Sequence, residues 1–145
     1  MHNFLLALAC SVVLFLNVAT AEELACLPKI NSSIIKLNDA PVPWAGSIRD
    51  YPLELTGVNF SDGPPSEKAF LVDSSTYEDK KSFVSKQKFY KYPSQKGRYW
   101  LICEYGEHVV FLSREIPKEI NECTVAYDKA KDSLLRYRFR SLICK

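Results

Sequence analysis

Four cysteines, one histidine and a set of lysines and arginines among aromatic rings are the residues of this 145-residue chain that could do chemistry. The cysteines are Cys26, Cys103, Cys123 and Cys144; a fifth, Cys10, and a second histidine, His2, lie in an apolar N-terminal segment. Thiols act as nucleophiles or metal ligands only when free or held at ligand spacing. The chain has no Cys-x-x-Cys pair, and one histidine, His108, does not complete a zinc site. Acyl-transfer catalysis needs a histidine oriented by an acid with a nucleophile in reach. His108 instead follows Gly106-Glu107 in an expected turn, and no G-x-S-x-G string accompanies it. Phosphate-loop, dinucleotide and calcium-loop patterns are also missing. The expectation is a chain with no catalytic residue, no metal ligand and no cofactor.

The basic and aromatic residues offer binding rather than catalysis. At period two, Lys86, Lys88 and Tyr90 share one face of a strand, and Arg136, Arg138 and Arg140 share a face of another. Brought onto neighbouring strands, these rows would concentrate positive charge in a chain of net charge only +2. The partner would be anionic: an envelope polymer or an acidic protein patch. Specific nucleic-acid recognition is not expected. The competing reading gives the lysines a defensive role, since charge on an edge strand blocks pairing with another chain. Charge is also uneven along the sequence. Residues 22–75 hold 4 basic and 8 acidic side chains, and residues 76–145 hold 15 and 9.

What the cysteines do depends on the compartment. Phe4 to Leu16 is an almost unbroken apolar run, followed by Ala19-Thr20-Ala21 and then Glu22-Glu23. This is the order of a secretory signal peptide: apolar core, A-x-A cleavage site, polar mature start. The run is shorter than the roughly 20 residues a membrane span needs, so no span is expected after processing. Export to the periplasm or beyond follows, and in that oxidising compartment four cysteines pair. Three pairings are open. Cys26–Cys103 with Cys123–Cys144 is favoured, because the second ties the last two strands and the first pins an irregular lead-in to a central hairpin.

The elements that must carry these residues read as strands. Residues 22–50 form an extended lead-in in which Pro28, Pro41 and Pro43 discourage helix, with one short apolar string, Ile34-Ile35, that either adds a strand or packs on the core. From residue 51 to 145 β-branched and aromatic segments alternate with turn signals. Strands are expected at Leu53–Phe60, with a bulge at Gly57, then at 69–72 and at Phe83–Tyr92, the last followed by a turn at Pro93–Gly97. Residues 76–82 read as a loop or helical turn, and residues 128–135 as a loop or one helical turn. Arg98–Tyr105 and His108–Arg114 form the best hairpin, closed by a two-residue Gly106-Glu107 turn. That register sets Cys103 opposite Val110 and Leu101 opposite Leu112. Both hairpin faces are apolar, so Leu101 and Phe111 are expected in the core. Two further strands follow, at 123–127 and 136–144, the last with Tyr137, Phe139, Ser141 and Ile143 on one face. The fold class is mainly β: one small antiparallel domain, meander-like, stapled by disulfides, and monomeric.

Several motifs carry a resemblance. Leu55-Thr56-Gly57-Val58-Asn59-Phe60, Asp62-Gly63-Pro64-Pro65 and Leu71-Val72-Asp73 occupy the first half. Trp100-Leu101-Ile102-Cys103-Glu104-Tyr105, Arg114-Glu115-Ile116-Pro117 and Cys123-Thr124-Val125-Ala126-Tyr127 occupy the second, with a terminal Cys144. In this order, with Cys26 near the mature start, the chain resembles a family of small uncharacterised exported proteins of Gram-negative bacteria. The resemblance implies a periplasmic or secreted location and no activity.

The first functional reading is therefore an exported, non-enzymatic binding protein for an envelope polymer or a protein. The alternative is a small periplasmic inhibitor of a secreted hydrolase, of the lysozyme-inhibitor kind. An uncharacterised enzyme ranks third and would need a pocket with convergent polar groups. Cleavage after Ala21 is the checkable step: the intact mass of the exported protein should correspond to a chain beginning at Glu22. A mature chain that retains Met1 would remove both the leader and the argument for an oxidising compartment.

Overall fold

Alternating apolar residues set out eight strands among the residues that the computed structural model describes, which are 24–36, 41–43, 45–90, 97–130 and 136–145. The expected leader, the turn at residues 93–96 and residues 131–135 lie outside them. The strands are β1 (Lys29–Asn31), β2 (Pro52–Asp62), β3 (Ser75–Glu78), β4 (Ser82–Lys88), β5 (Tyr99–Tyr105), β6 (Val110–Glu115), β7 (Glu122–Lys129) and β8 (Tyr137–Cys144). They form two antiparallel sheets, ordered β1-β2-β5-β6 and β3-β4-β7-β8. β1–β2, β3–β4, β5–β6 and β7–β8 are sequential antiparallel neighbours, but β2–β5 and β4–β7 join strands distant in sequence, and the chain changes sheet after β2, β4 and β6, so the order is not a simple meander.

One core lies between the sheets. Leu53, Leu55, Val58 and Phe60 of β2 point inward with Leu101, Cys103 and Tyr105 of β5, against Cys123 and Val125 of β7 and Phe89 beyond β4. Leu101 and Tyr105 are fully buried. Phe60 and Phe89 meet edge to face with ring centroids 5.4 Å apart, a geometry that adds to area burial. Register shifts between Leu55 and Gly57, so the extra residue, Thr56, restores inward parity for Val58 and Phe60. The bulge falls where the sequence placed it.

Two disulfides close this frame. Cys26–Cys103 joins the lead-in to β5 across 77 residues, and Cys123–Cys144 crosses β7 and β8 with Cα atoms 4.1 Å apart. The neighbouring Glu122 and Lys145 exchange backbone hydrogen bonds. Cys123 and Cys144 therefore form a non-hydrogen-bonded pair, the closer of the two antiparallel spacings. On chain entropy the longer loop gives the greater stabilisation, about 4 against about 3 kcal/mol.

Four expectations are corrected. Residues 69–72 form no strand; Phe70 makes a single bridge to Ser61, because the chain leaves the sheet after the Pro64-Pro65 turn. Polar residues 75–78 are strand β3, paired to β4 from Ser75–Lys86 to Glu78–Phe83; a polar strand suits a short exposed edge. The lead-in strand is Lys29–Asn31, so Ile34-Ile35 adds none; of that string Ile35 packs on the core, the other outcome expected of it, and Ile34 is exposed. The β5–β6 hairpin is longer at its tip. Gly106, Glu107 and His108 all have positive φ, Val109 N–H donates to Tyr105 O (3.1 Å), and Cys103 pairs with Leu112, not Val110. A shift of two residues keeps every side chain on its expected face. Even so, β6 is an edge and Phe111 on its outer face is 49% exposed, so Phe111 is not core.

The last strand departs in the same currency of parity. Tyr127 pairs with Phe139, but Ala126 pairs with Ser141, leaving Arg140 as an extra residue. Beyond this bulge the faces exchange. Leu142 and Cys144 turn to the core, and Ile143, expected on the same face as Phe139, is 64% exposed on the other.

A tyrosine ties the sheets. Val58 N–H donates to the Tyr127 hydroxyl at 3.0 Å, and that hydroxyl donates back to Val58 O at 3.4 Å. Burial pushes the Tyr127 phenol above its ordinary value because the anion is disfavoured away from water. A group whose folded pKa is raised stabilises fully below its unfolded value, near 10 for tyrosine, and loses that contribution as pH rises through the folded value. Tyr127→Phe should cost about 1–3 kcal/mol at pH 7, as for an unsatisfied buried donor. In urea titrations that deficit should shrink once pH exceeds about 10. A deficit constant to pH 12 would show that the hydroxyl does not link the sheets.

Candidate functional site

Charge and apolar exposure divide between the outer faces of the two sheets. On the first sheet, strand parity turns Glu54, Gly57 and Asn59 of β2, Trp100, Ile102 and Glu104 of β5, and Phe111 of β6 outward. Its most ordered feature is the Glu104 carboxylate, buried to 5% exposure. Asn59 Nδ2 donates a short hydrogen bond to Oε1, and His108 Nδ1 lies 2.6 Å from Oε2. Opposite stands Gly57, where a Cβ would come within 2.8 Å of Oε2. The missing side chain is what makes room for the carboxylate. The left-handed Glu107 and His108 backbones bring the imidazole back over β5, and His108 itself remains 69% exposed at its side chain.

This pair gives His108 the oriented acid that sequence reasoning did not find. The signal was available only as Glu104 and His108 four apart across a turn. No serine, threonine or cysteine completes a relay: His108 makes no other hydrogen bond among the described residues, and Cys26, Cys103, Cys123 and Cys144 are in disulfides. The arrangement clamps the hairpin tip. Among the described residues no group of three or more His, Cys, Asp or Glu could hold a metal ion, and no helix is long and apolar enough to cross a membrane.

The second sheet carries the expected binding residues. Lys86 and Lys88 are exposed on the outer face of β4, and Tyr90, 68% exposed, follows just past its end. Arg138 and Arg140 lie on β8. The two rows share a sheet but not neighbouring strands, because β7 runs between them. Arg140 is paired with Asp128 of β7 at 2.9 Å. Arg136 leaves the row: its guanidinium lies 5.8 Å from the Tyr137 ring centroid and lines an inter-sheet cleft of about 260 Å³ with Asp73, Phe83 and Tyr127. Glu78 at the β3 edge contacts Lys129 (2.7 Å), and the Tyr137 hydroxyl donates to it (2.9 Å). The Lys129 bond and then the Tyr137 bond hold its carboxyl below the usual range.

A second hollow of about 570 Å³ flanks the Cys26–Cys103 bridge, lined by Leu27, Tyr105 and Leu112. Its lining is mostly apolar, with Ser113 and Arg114 as polar side chains at one side.

Fold and faces together define a class: a small β domain, cross-linked twice, that presents side chains on flat sheet surfaces. Residues 49–145 match the family model described as Type VI secretion system Tli immunity protein, and the chain belongs to that family. No curated protein and no solved structure matches it. The match spans every motif that carried the earlier resemblance except Cys26, and every strand except β1.

The Gly57–Glu104 contact generates a stability test. Gly57→Ala should destabilise by about 1–3 kcal/mol, as overpacking does. Because the clash is with one carboxylate, Gly57→Ala combined with Glu104→Ala should be less destabilising than the two single costs added. Additive costs in denaturant titrations would mean that Glu104 is not held against Gly57.

Proposed function

We propose that this chain is an exported immunity protein that neutralises a type VI secretion effector by binding it directly in the periplasm. The observation that carries the reading is the family match across residues 49–145, which takes in both sheets from β2 to β8. An immunity protein needs a rigid surface that is complementary to one protein, and preorganisation lowers the cost of association. Two disulfides and a core shared by both sheets supply such a surface. The same disulfides suit an oxidising compartment.

Of the readings drawn from the sequence, the small periplasmic inhibitor of a secreted hydrolase stands closer to this family than the binder of an envelope polymer or a protein. The action is stoichiometric and non-enzymatic: occupancy of the effector, not turnover, gives protection. Affinity must then be high, because a nanomolar dissociation constant corresponds to about −12 kcal/mol of binding.

Protection tests it. The chain with its leader is co-expressed with each type VI effector of the source strain sent to the periplasm. One effector should become harmless, and the purified mature chain should bind that effector one to one in calorimetry. If no effector is neutralised or bound, the reading is wrong.

A further inference from the structure

We propose that the outer face of the β3-β4-β7-β8 sheet is the effector-binding surface, and that it takes an acidic protein patch surrounding an apolar contact. The proposal rests on the immunity reading and adds to it the face, the anchoring residues and the chemistry of the partner.

Register places the residues. One outward row runs Tyr77–Val84–Ala126–Ser141 across the four strands, and the next runs Ser75–Lys86–Thr124–Ile143. Directly paired side chains lie about 4.5–5.5 Å apart, so each row is continuous. Tyr77 is 63% exposed and Ile143 64%. They stand at opposite margins with half-buried Val84 and small Ala126, Thr124 and Ser141 between them. The centre is thus lightly apolar, flanked by two large side chains that no described residue covers. Aromatic and aliphatic anchors of this kind concentrate binding energy when a partner desolvates them.

The charges around this strip are unbalanced. Acidic residues of the sheet are engaged: Asp128 by Arg140 at 2.9 Å, Glu78 by Lys129 at 2.7 Å, and Glu122 faces Lys145 at 3.7 Å. Lys86, Lys88 and Arg138 have no ion pair among the described residues. The strands of this sheet carry five basic and three acidic residues, whereas those of the other sheet carry two and four. Edge protection does not account for the lysines. β4 is paired to β7 along its length and to β3 as far as Lys86, and the Lys88 N–H donates to the Ser74 hydroxyl at 3.0 Å, so neither lysine guards an open edge. Unpaired cations on an interior strand are free to meet carboxylates of a partner, which steers encounter and fixes orientation.

The test uses the effector that the protection assay selects. Lys86→Glu with Lys88→Glu and Arg138→Glu should weaken binding at least about 100-fold, chiefly through slower association, and abolish its dependence on salt. Tyr77→Ala with Ile143→Ala should weaken it at least about 30-fold through faster dissociation. Phe111→Ala with Glu54→Lys, on the opposite face, should stay within about threefold. Should the variants fold poorly, lysine acetylation of the wild-type complex gives the same answer: Lys86 and Lys88 should be protected by the effector and Lys29 should not. If wild type binds while both face variants bind within threefold, or Lys86 and Lys88 label freely in the complex, this face is not the interface and the immunity reading stands. If wild type binds no effector, both fall together.

Discussion

Parity governs this molecule. A β-strand sends alternate side chains to opposite faces, and an added residue reverses every side chain beyond it. Two such residues decide the structure. Thr56 lets Leu53 and Leu55 share the core with Val58 and Phe60. Arg140 lets Phe139 share it with Leu142 and Cys144. Without the second bulge, strict alternation from Phe139 would turn Cys144 outward while Cys123 stayed inward, and the bridge between them could not close. The disulfide, the inward Leu142 and the outward Ile143 are one choice of register.

The same rule explains how much of the fold could be read in advance. Period-two patterns with clean apolar alternation are legible, as in β4, where Phe83, Ser85, Gln87 and Phe89 turn inward and Lys86 and Lys88 outward. Turn chemistry was legible where glycine and proline cluster, as at Gly63-Pro64-Pro65. The bulge at Gly57 was visible because a glycine marks it. Arg140 carries no such mark: an arginine in a bulge reads like an arginine on a strand. Polar β3 was missed because its pairing comes from β4 rather than from its own composition.

The site was less legible than the fold, for a related reason. Lysines at period two identify a face but not what lies beside it. Only the strand order shows that β7 separates the two basic rows and that β4 is interior. Arg136 falls on the expected parity yet turns toward Tyr137 and the inter-sheet cleft, an outcome set by an aromatic neighbour in the next position. The Glu104–His108 contact depends on three successive left-handed residues, of which only Gly106 announces itself.

A division of labour between the faces follows from these placements. On the first sheet the groups around Glu104 are engaged internally: Glu104 with Asn59 and His108, and Thr56 Oγ1 with Glu104 O at 3.1 Å. Groups satisfied in this way gain little from a partner, because binding would exchange one set of hydrogen bonds for another. The second sheet leaves Lys86, Lys88 and Arg138 without an ion pair among the described residues, and Tyr77 and Ile143 exposed. Desolvating such groups against complementary chemistry is where association gains free energy. In a domain this small one face must hold the hairpin tip in place and the other remains available. The chain, charge-polarised along its sequence, is charge-polarised between its sheets as well.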